Sequence, residues 1–189
     1  NTDCEEFIIW MIEEAHKRNI KKCLFLGDWH HNRASINVST MNYTTSNLQR
    51  LNDAFDEVIM ITGNHDLYYR EKREIHSIPM VDKYPNIHMI NDGTEIIDDC
   101  AFVPWLVEDE HKKLKELNVK YIFGHFELPH FFMNAMVQMP DHGHGLRPDD
   151  LNKADKVFSG HFHKRQTRGN IIYPGNCFPH NYADAWDDE

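Results

Sequence analysis

Four times along this chain an apolar run gives way to glycine and then to a side chain able to bind a metal: Leu24-Phe25-Leu26-Gly27-Asp28, Met60-Ile61-Thr62-Gly63-Asn64, Tyr121-Ile122-Phe123-Gly124-His125 and Val157-Phe158-Ser159-Gly160-His161. Short runs of this kind read as buried strands, and the glycine lets the backbone turn tightly with no side chain in the way. Strands that end along one edge of a sheet bring their last residues together. A single strand ending in glycine and a polar residue is common, but four of them, the last continuing as His161-Phe162-His163, make Asp28, Asn64, His125, His161 and His163 a converging set. Carboxylate oxygen, amide oxygen and imidazole nitrogen together suit manganese, iron or zinc better than calcium, which takes oxygen ligands.

The segments between these runs supply the helices. Ile8, Met11, Ile12 and Ala15 repeat at helical spacing with Glu13, Glu14, Lys17 and Arg18 on other faces, which predicts an amphipathic helix over residues 4–19 capped by Thr2 or Asp3. Leu48, Leu51, Ala54 and Phe55 predict a second. Strands are expected at residues 22–26, 57–62, 87–90, 100–106, 119–123, 156–158 and 170–173, and further helices near 110–117 and 148–154. Helices interleaved with strands argue for a layered α/β domain, while 140–147 and 180–189 have loop composition.

At 189 residues the chain matches one domain of roughly 150 residues better than two. Its 20 Lys and Arg against 30 Asp and Glu give a net charge of −10, which excludes a protein that coats polyanions by bulk charge. Any nucleic-acid site must be local. There is no apolar run of about 18 residues and no basic-then-apolar leader, so a soluble protein without membrane contact is expected. Cys4, Cys23, Cys100 and Cys177 lie far apart, as free thiols in a reducing cytoplasm would. The 14 histidines fall in clusters, which points again to metal chemistry.

The full motifs are G-D-x-x-H at Gly27 to His31, G-N-H-D at Gly63 to Asp66, G-H-x-E at Gly124 to Glu127 and G-H-x-H at Gly160 to His163. In order and spacing they resemble the calcineurin-like metallophosphoesterases, and more narrowly the SbcD-type nuclease subunits of recombination and repair complexes and their tailed-phage counterparts. The resemblance implies two β-sheets in a sandwich flanked by helices, with two divalent metals at the sheet edge. It implies that Asp28 bridges the metals, that Asn64, His125 and His161 complete the second site, that His163 binds the first, and that His65 is catalytic. It also implies DNA as substrate, a coiled-coil ABC-type ATPase of the SbcC kind as partner, a homodimer, and work in the cytoplasm, that of a phage-infected cell included. Manganese is the expected metal, with iron or zinc as alternatives. A phosphatase or cyclic-nucleotide phosphodiesterase of the same fold, or a non-catalytic metal-binding remnant, are the rival readings.

His31 separates the branches: phosphatases of this fold usually carry Asp at the matching position, whereas many recombination nucleases carry His, although SbcD itself has Asp. A facing His31 and His65 would hold at most about one proton between them near neutral pH. His30 is expected as a partly exposed neighbour that competes for the same role, and Asp66 as a local turn cap without a catalytic role. His16, His76, His88, His111 and His130 have no partner pattern, while His142 and His144, flanked by glycine, lie where substrate could pass. Arg70, Lys72, Arg73, Lys164, Arg165 and Arg168 cluster in sequence beside the motifs, as phosphate contacts or as solvated loop charges. Family members begin with a strand bearing D-x-H. Asp28 lies 36 residues before Asn64 (64 minus 28), an interval that fits the second motif, so residues 1–189 are expected to be one domain lacking that first strand.

Overall fold

The computed structural model describes residues 1–134, 136–179 and 184. In chain order the elements are α1 (Thr2–Lys17), β1 (Lys22–Phe25), α2 (Val38–Ala54), β2 (Glu57–Ile61), β3 (Ile87–Ile90), β4 (Glu95–Ile97), β5 (Cys100–Val103), α3 (His111–Leu114), β6 (Tyr121–His125), β7 (Lys156–Gly160), β8 (Gln166–Arg168) and β9 (Ile171–Tyr173). Short 3-10 turns occupy Pro79–Lys83 and Pro148–Leu151. One sheet has the order β1-β2-β3, all parallel, and the other the order β4-β5-β6-β7-β9-β8, parallel through its centre with antiparallel β4 and β8 at its margins.

Alternation along the strands sorts the layers. In β2, Val58 and Met60 join a core with Ala15 of α1 and Leu48 and Leu51 of α2, so this face of the first sheet is covered by helices. The intervening Ile59 and Ile61 turn the other way and pack with Ile90 of β3, Phe102 of β5 and Phe123 of β6, so the two sheets meet through this cluster. On the far face of the second sheet, Ala101, Val103, Ile122 and Val157 pack under Leu114, Phe126, Leu151 and Phe162. Each fully buried aliphatic or aromatic side chain of these clusters contributes roughly 1.5–3 kcal/mol, so the helix-covered and far-face clusters, which hold more of them, contribute more than the sheet-to-sheet contact.

The order of strands and helices follows the expected mixed α/β plan, with instructive departures. The cap of α1 is Asn1, without a side-chain bond, rather than Thr2 or Asp3. Helix α2 begins ten residues before Leu48 (48 minus 38), because Asn37 accepts from the Thr40 N–H at 2.8 Å and starts a polar first half that carries no apolar period. The helices expected near 110–117 and 148–154 shrink to the four-residue α3 and a 3-10 turn. The three-residue strands β4 and β8 were not expected. Of the 180–189 tail only Asp184 lies within the described residues. No helix among the described residues is long and apolar enough to cross a membrane.

Candidate metal centre

Parallel pairing puts the ends of β1 and β2 on one edge of the first sheet and those of β6 and β7 on one edge of the second. Gly27 and Asp28 both take positive φ (+92° and +62°) and turn the chain across that edge. A Cβ on Gly27 would stand 2.5 Å from His125 Nδ1 and 2.7 Å from the Gly63 nitrogen, so the strand ends close up only because glycine is there.

The closure brings four donor atoms together. Asn64 Oδ1 lies 3.1 Å from His125 Nε2 and 3.0 Å from His161 Nδ1, and Asp28 Oδ2 lies 3.4 Å from the same His125 Nε2. Ligand atoms of Asp28, His125 and His161 all lie within 4.8 Å of one another. A tetrahedral shell with bonds of about 2.0–2.1 Å has edges of about 3.3 Å, so the spacing is that of donors around one small cation. The protonation pattern agrees. His125 Nδ1–H donates to the Leu26 carbonyl at 2.7 Å, which leaves Nε2 as the lone-pair atom facing two oxygens. His161 Nε2 lies 3.5 Å from Glu127 Oε1, and a proton held there turns its Nδ1 lone pair toward Asn64. Lone pairs directed at one another need a positive charge between them. A proton can meet the same need: burial disfavours a protonated His125, yet Asp28 outweighs it and holds the pKa of His125 above its ordinary value, so a cation entering the site would take the place of that proton on Nε2. Burial likewise pushes against ionised Asp28, but His125 and the His65 N–H hold its pKa down at about 2.

Asp66 does more than cap a local turn. Fully buried, its carboxylate accepts from the backbone N–H of Asp28 (2.7 Å), Gly63 (2.9 Å) and His30 (3.2 Å), tying the loop after β1 to the loop after β2. Burial foremost, and the charge of Asp28 next, push its pKa up to about 6. His30 is buried, not partly exposed. Its Nδ1 pairs with Ser77 Oγ at 2.8 Å and its Nε2 with Thr44 Oγ1 at 2.7 Å, so both nitrogens are engaged in the core beneath the site. Burial lowers its pKa.

His65 stands beside the donor cluster. Its backbone N–H donates to Asp28 Oδ1 at 2.8 Å, and its Nδ1–H donates to the His31 carbonyl at 2.7 Å, which leaves Nε2 directed outward. The His31 and His65 rings stack with centroids 5.2 Å apart and planes 13° apart, so the two expected partners are neighbours. His163 is not in the Asp28–His125–His161 group. Its Nδ1 faces the carboxylate of buried Asp184 at 3.1–3.2 Å, a partner 21 residues on that no local pattern announces.

Several residues around the cluster carry no motif signal. Trp105 packs its ring at 5.3 Å from His161 and 6.0 Å from His125, held by Nε1–H donation to the Arg70 carbonyl. Arg70 lies over the Trp105 ring and pairs with Glu127. Arg73 is nearly buried and pairs with Glu110 and the Trp105 carbonyl, so it is a structural cation and not a surface phosphate contact. A cleft of about 220 Å³ runs from His125 and Glu127 to the 140–147 loop, where His142 and His144 stack at 6.1 Å. His111, expected to be bland, lines the same cleft.

No family model matches the chain. The chain is 32% identical over 174 residues, 87% of its own length, to exonuclease subunit 1 of Enterobacteria phage T4, and it spans 50% of that protein's length. The likeness to a phage counterpart of the SbcD-type subunit is therefore carried by sequence identity along most of the chain as well as by the four motifs.

Proposed function

We propose that this chain carries the catalytic core of a metal-dependent DNA phosphodiesterase, the nuclease subunit of a recombination or repair complex built on the calcineurin-like metallophosphoesterase sandwich. The observation that carries the reading is the convergence of Asp28, Asn64, His125 and His161 with His65 beside them. The relative's name, an exonuclease subunit, supports both the chemistry and an assembly, for which an SbcC-like ATPase and a second copy of the chain are the proposed partners in the cytoplasm of a phage-infected cell.

Asp28, Asn64, His125 and His161 would hold one divalent cation, manganese in preference to iron or zinc, and Asp28 with His163 would contribute to a second. Two bound divalent ions supply a water that is nucleophilic at neutral pH and neutralise charge on the phosphate. The protein's own groups do the rest. The Leu26 carbonyl and Glu127 fix which nitrogen of His125 and His161 faces the cation, as outer partners of metal-bound histidines generally do. Asp66 holds the two loops that carry Asp28 and Asn64 at fixed separation. His65, with Nδ1–H committed to the His31 carbonyl, would in its doubly protonated form donate the Nε2 proton to the leaving alkoxide or to a non-bridging oxygen.

The test offers the full-length protein manganese with end-labelled linear DNA and, separately, with a simple phosphomonoester. Release of nucleotides from DNA, abolished by His125→Ala, is the expected result. Hydrolysis of the monoester with none of the DNA would replace this reading with the phosphatase one.

A further inference from the structure

The acidic chain leaves a question about how a polynucleotide is held, because several cations around the site are already engaged in ion pairs. Arg70 is paired with Glu127, Arg73 with Glu110, and Arg147 with Asp141. Affinity drawn from phosphate charge is correspondingly reduced. Directly after the His65-Asp66 pair the chain carries Leu67, which is fully buried and bridged to His76, and then Tyr68 and Tyr69, which are 47% and 46% exposed. Their rings meet edge to face, with centroids 4.8 Å apart and planes 89° apart. The backbone that carries them is fixed, since the Tyr68 N–H donates to the Ile75 carbonyl at 3.0 Å and the Ser77 N–H to the Asp66 carbonyl at 2.8 Å. Both ends of this short segment belong to the site: His65 donates to Asp28, and Arg70 covers Trp105, which packs on His125 and His161.

Three residues of chain reach at most about 11 Å, so Tyr68 stands within a nucleotide or two of whatever His65 contacts. Two large apolar rings exposed on an ordered backbone are not needed by the core, whose clusters do not include them. We infer that Tyr68 and Tyr69 form an aromatic subsite that stacks an unpaired nucleobase next to the reacting phosphate. The inference rests on the reading of the site as a DNA phosphodiesterase. Stacking tolerates any base, because each has a π-face, and needs that face free, so the occupant is a single strand or a frayed end and not the interior of a duplex.

The experiment measures binding of a short single-stranded oligonucleotide to the His65→Ala protein with manganese, over a time short against its slowed cleavage. Tyr68→Leu with Tyr69→Leu should weaken binding about 5- to 150-fold, the range of one lost stack. Tyr68→Phe with Tyr69→Phe should restore it, and the variants should melt at the same temperature as their parent. An oligonucleotide carrying abasic positions should bind the parent as weakly as the intact strand binds the leucine variant, with no further loss when both changes are combined. Unchanged affinity in the leucine variant, equal losses on intact and abasic strands, or no binding by a manganese-loaded parent would each overturn the subsite. Failure to take up manganese at all would instead overturn the metal reading beneath it.

Discussion

Two pairs of histidines sit within a few residues of each other in space and are built for opposite tasks. His125 and His161 are shielded, and each has one ring nitrogen held by a protein oxygen and the other aimed at Asn64 Oδ1. His31 and His65 lie toward solvent, stacked, with the outer nitrogen of His65 unengaged by the contacts that position it. The inner pair has its protons fixed so that lone pairs converge, which is what a cation requires. The outer pair has only one nitrogen fixed, which leaves the other to exchange a proton with whatever approaches. On the proposed reading, imidazoles differing only in their partners would divide into ligands and proton donors.

The largest effect should come from breaking the inner pair. His125→Ala or His161→Ala removes a donor from a four-atom set and exposes Asn64 and Asp28 to each other, so manganese affinity should fall by more than the roughly 10- to 100-fold typical of losing an outer partner. Elemental analysis after gel filtration should find the metal gone from both variants while the circular dichroism spectrum is kept. Retained metal in both would undo the contrast between the pairs.

Next in size is the outer pair. His65→Ala should leave manganese affinity intact and lower DNA turnover about a hundredfold or more, the usual worth of one general acid or oxyanion donor. An aryl phosphodiester, whose leaving group needs no proton, separates the two roles. If His65 protonates the leaving alkoxide, the loss should be much smaller on the aryl ester than on DNA. Equal losses on both substrates would assign it to the non-bridging oxygen.

What could be read from the sequence divides along similar lines. Gly27, Gly63, Gly124 and Gly160 each mark a strand end locally, so the convergence of Asp28, Asn64, His125 and His161 was legible from spacing and the layered α/β order from apolar runs. Contacts made across sequence were not. His30 looks like its neighbour His31 in the string, and its burial depends on Thr44 and Ser77, 14 and 47 residues away. The Asp184 partner of His163, the Trp105 ring against the inner pair and the ion pair that withdraws Arg73 are of the same kind. Strands β4 and β8 were missed because three residues of mixed polarity carry no period, and their pairing comes from the neighbouring strand. Asp66 was undervalued because three backbone donors from two separate loops are invisible in G-N-H-D.

A smaller effect tests how the inner pair is held. Glu127→Gln keeps the size of the side chain but removes the charge that favours a proton on His161 Nε2, and it leaves Arg70 without its ion-pair partner over Trp105. The pKa of Glu127 lies below its ordinary value, with the bond to His161 as the first cause, so the carboxylate is the form that does the positioning. Manganese affinity should drop about tenfold, the low end for an outer partner, with the ligands themselves untouched. Calorimetric titration of manganese would show it, and an unchanged affinity would mean that His161 is oriented by packing on Trp105 alone.

The smallest effect is expected at His31, the residue that separates the nuclease branch from the phosphatase branch. His31 was read as the partner that sets the state of His65, yet the group that receives the His65 Nδ1–H is the backbone carbonyl of His31, at 2.7 Å, and not its ring. A carbonyl survives any substitution. In His31→Ala the tautomer of His65 should therefore persist, and the bond from the His65 N–H to Asp28 should persist with it. What is lost is a stacked ring on the solvent side, which limits how freely His65 turns. DNA turnover should fall less than tenfold, well short of the loss in His65→Ala. A loss as large as that of His65→Ala would show that the His31 ring contacts substrate directly and that the outer pair works as two catalytic groups, not one.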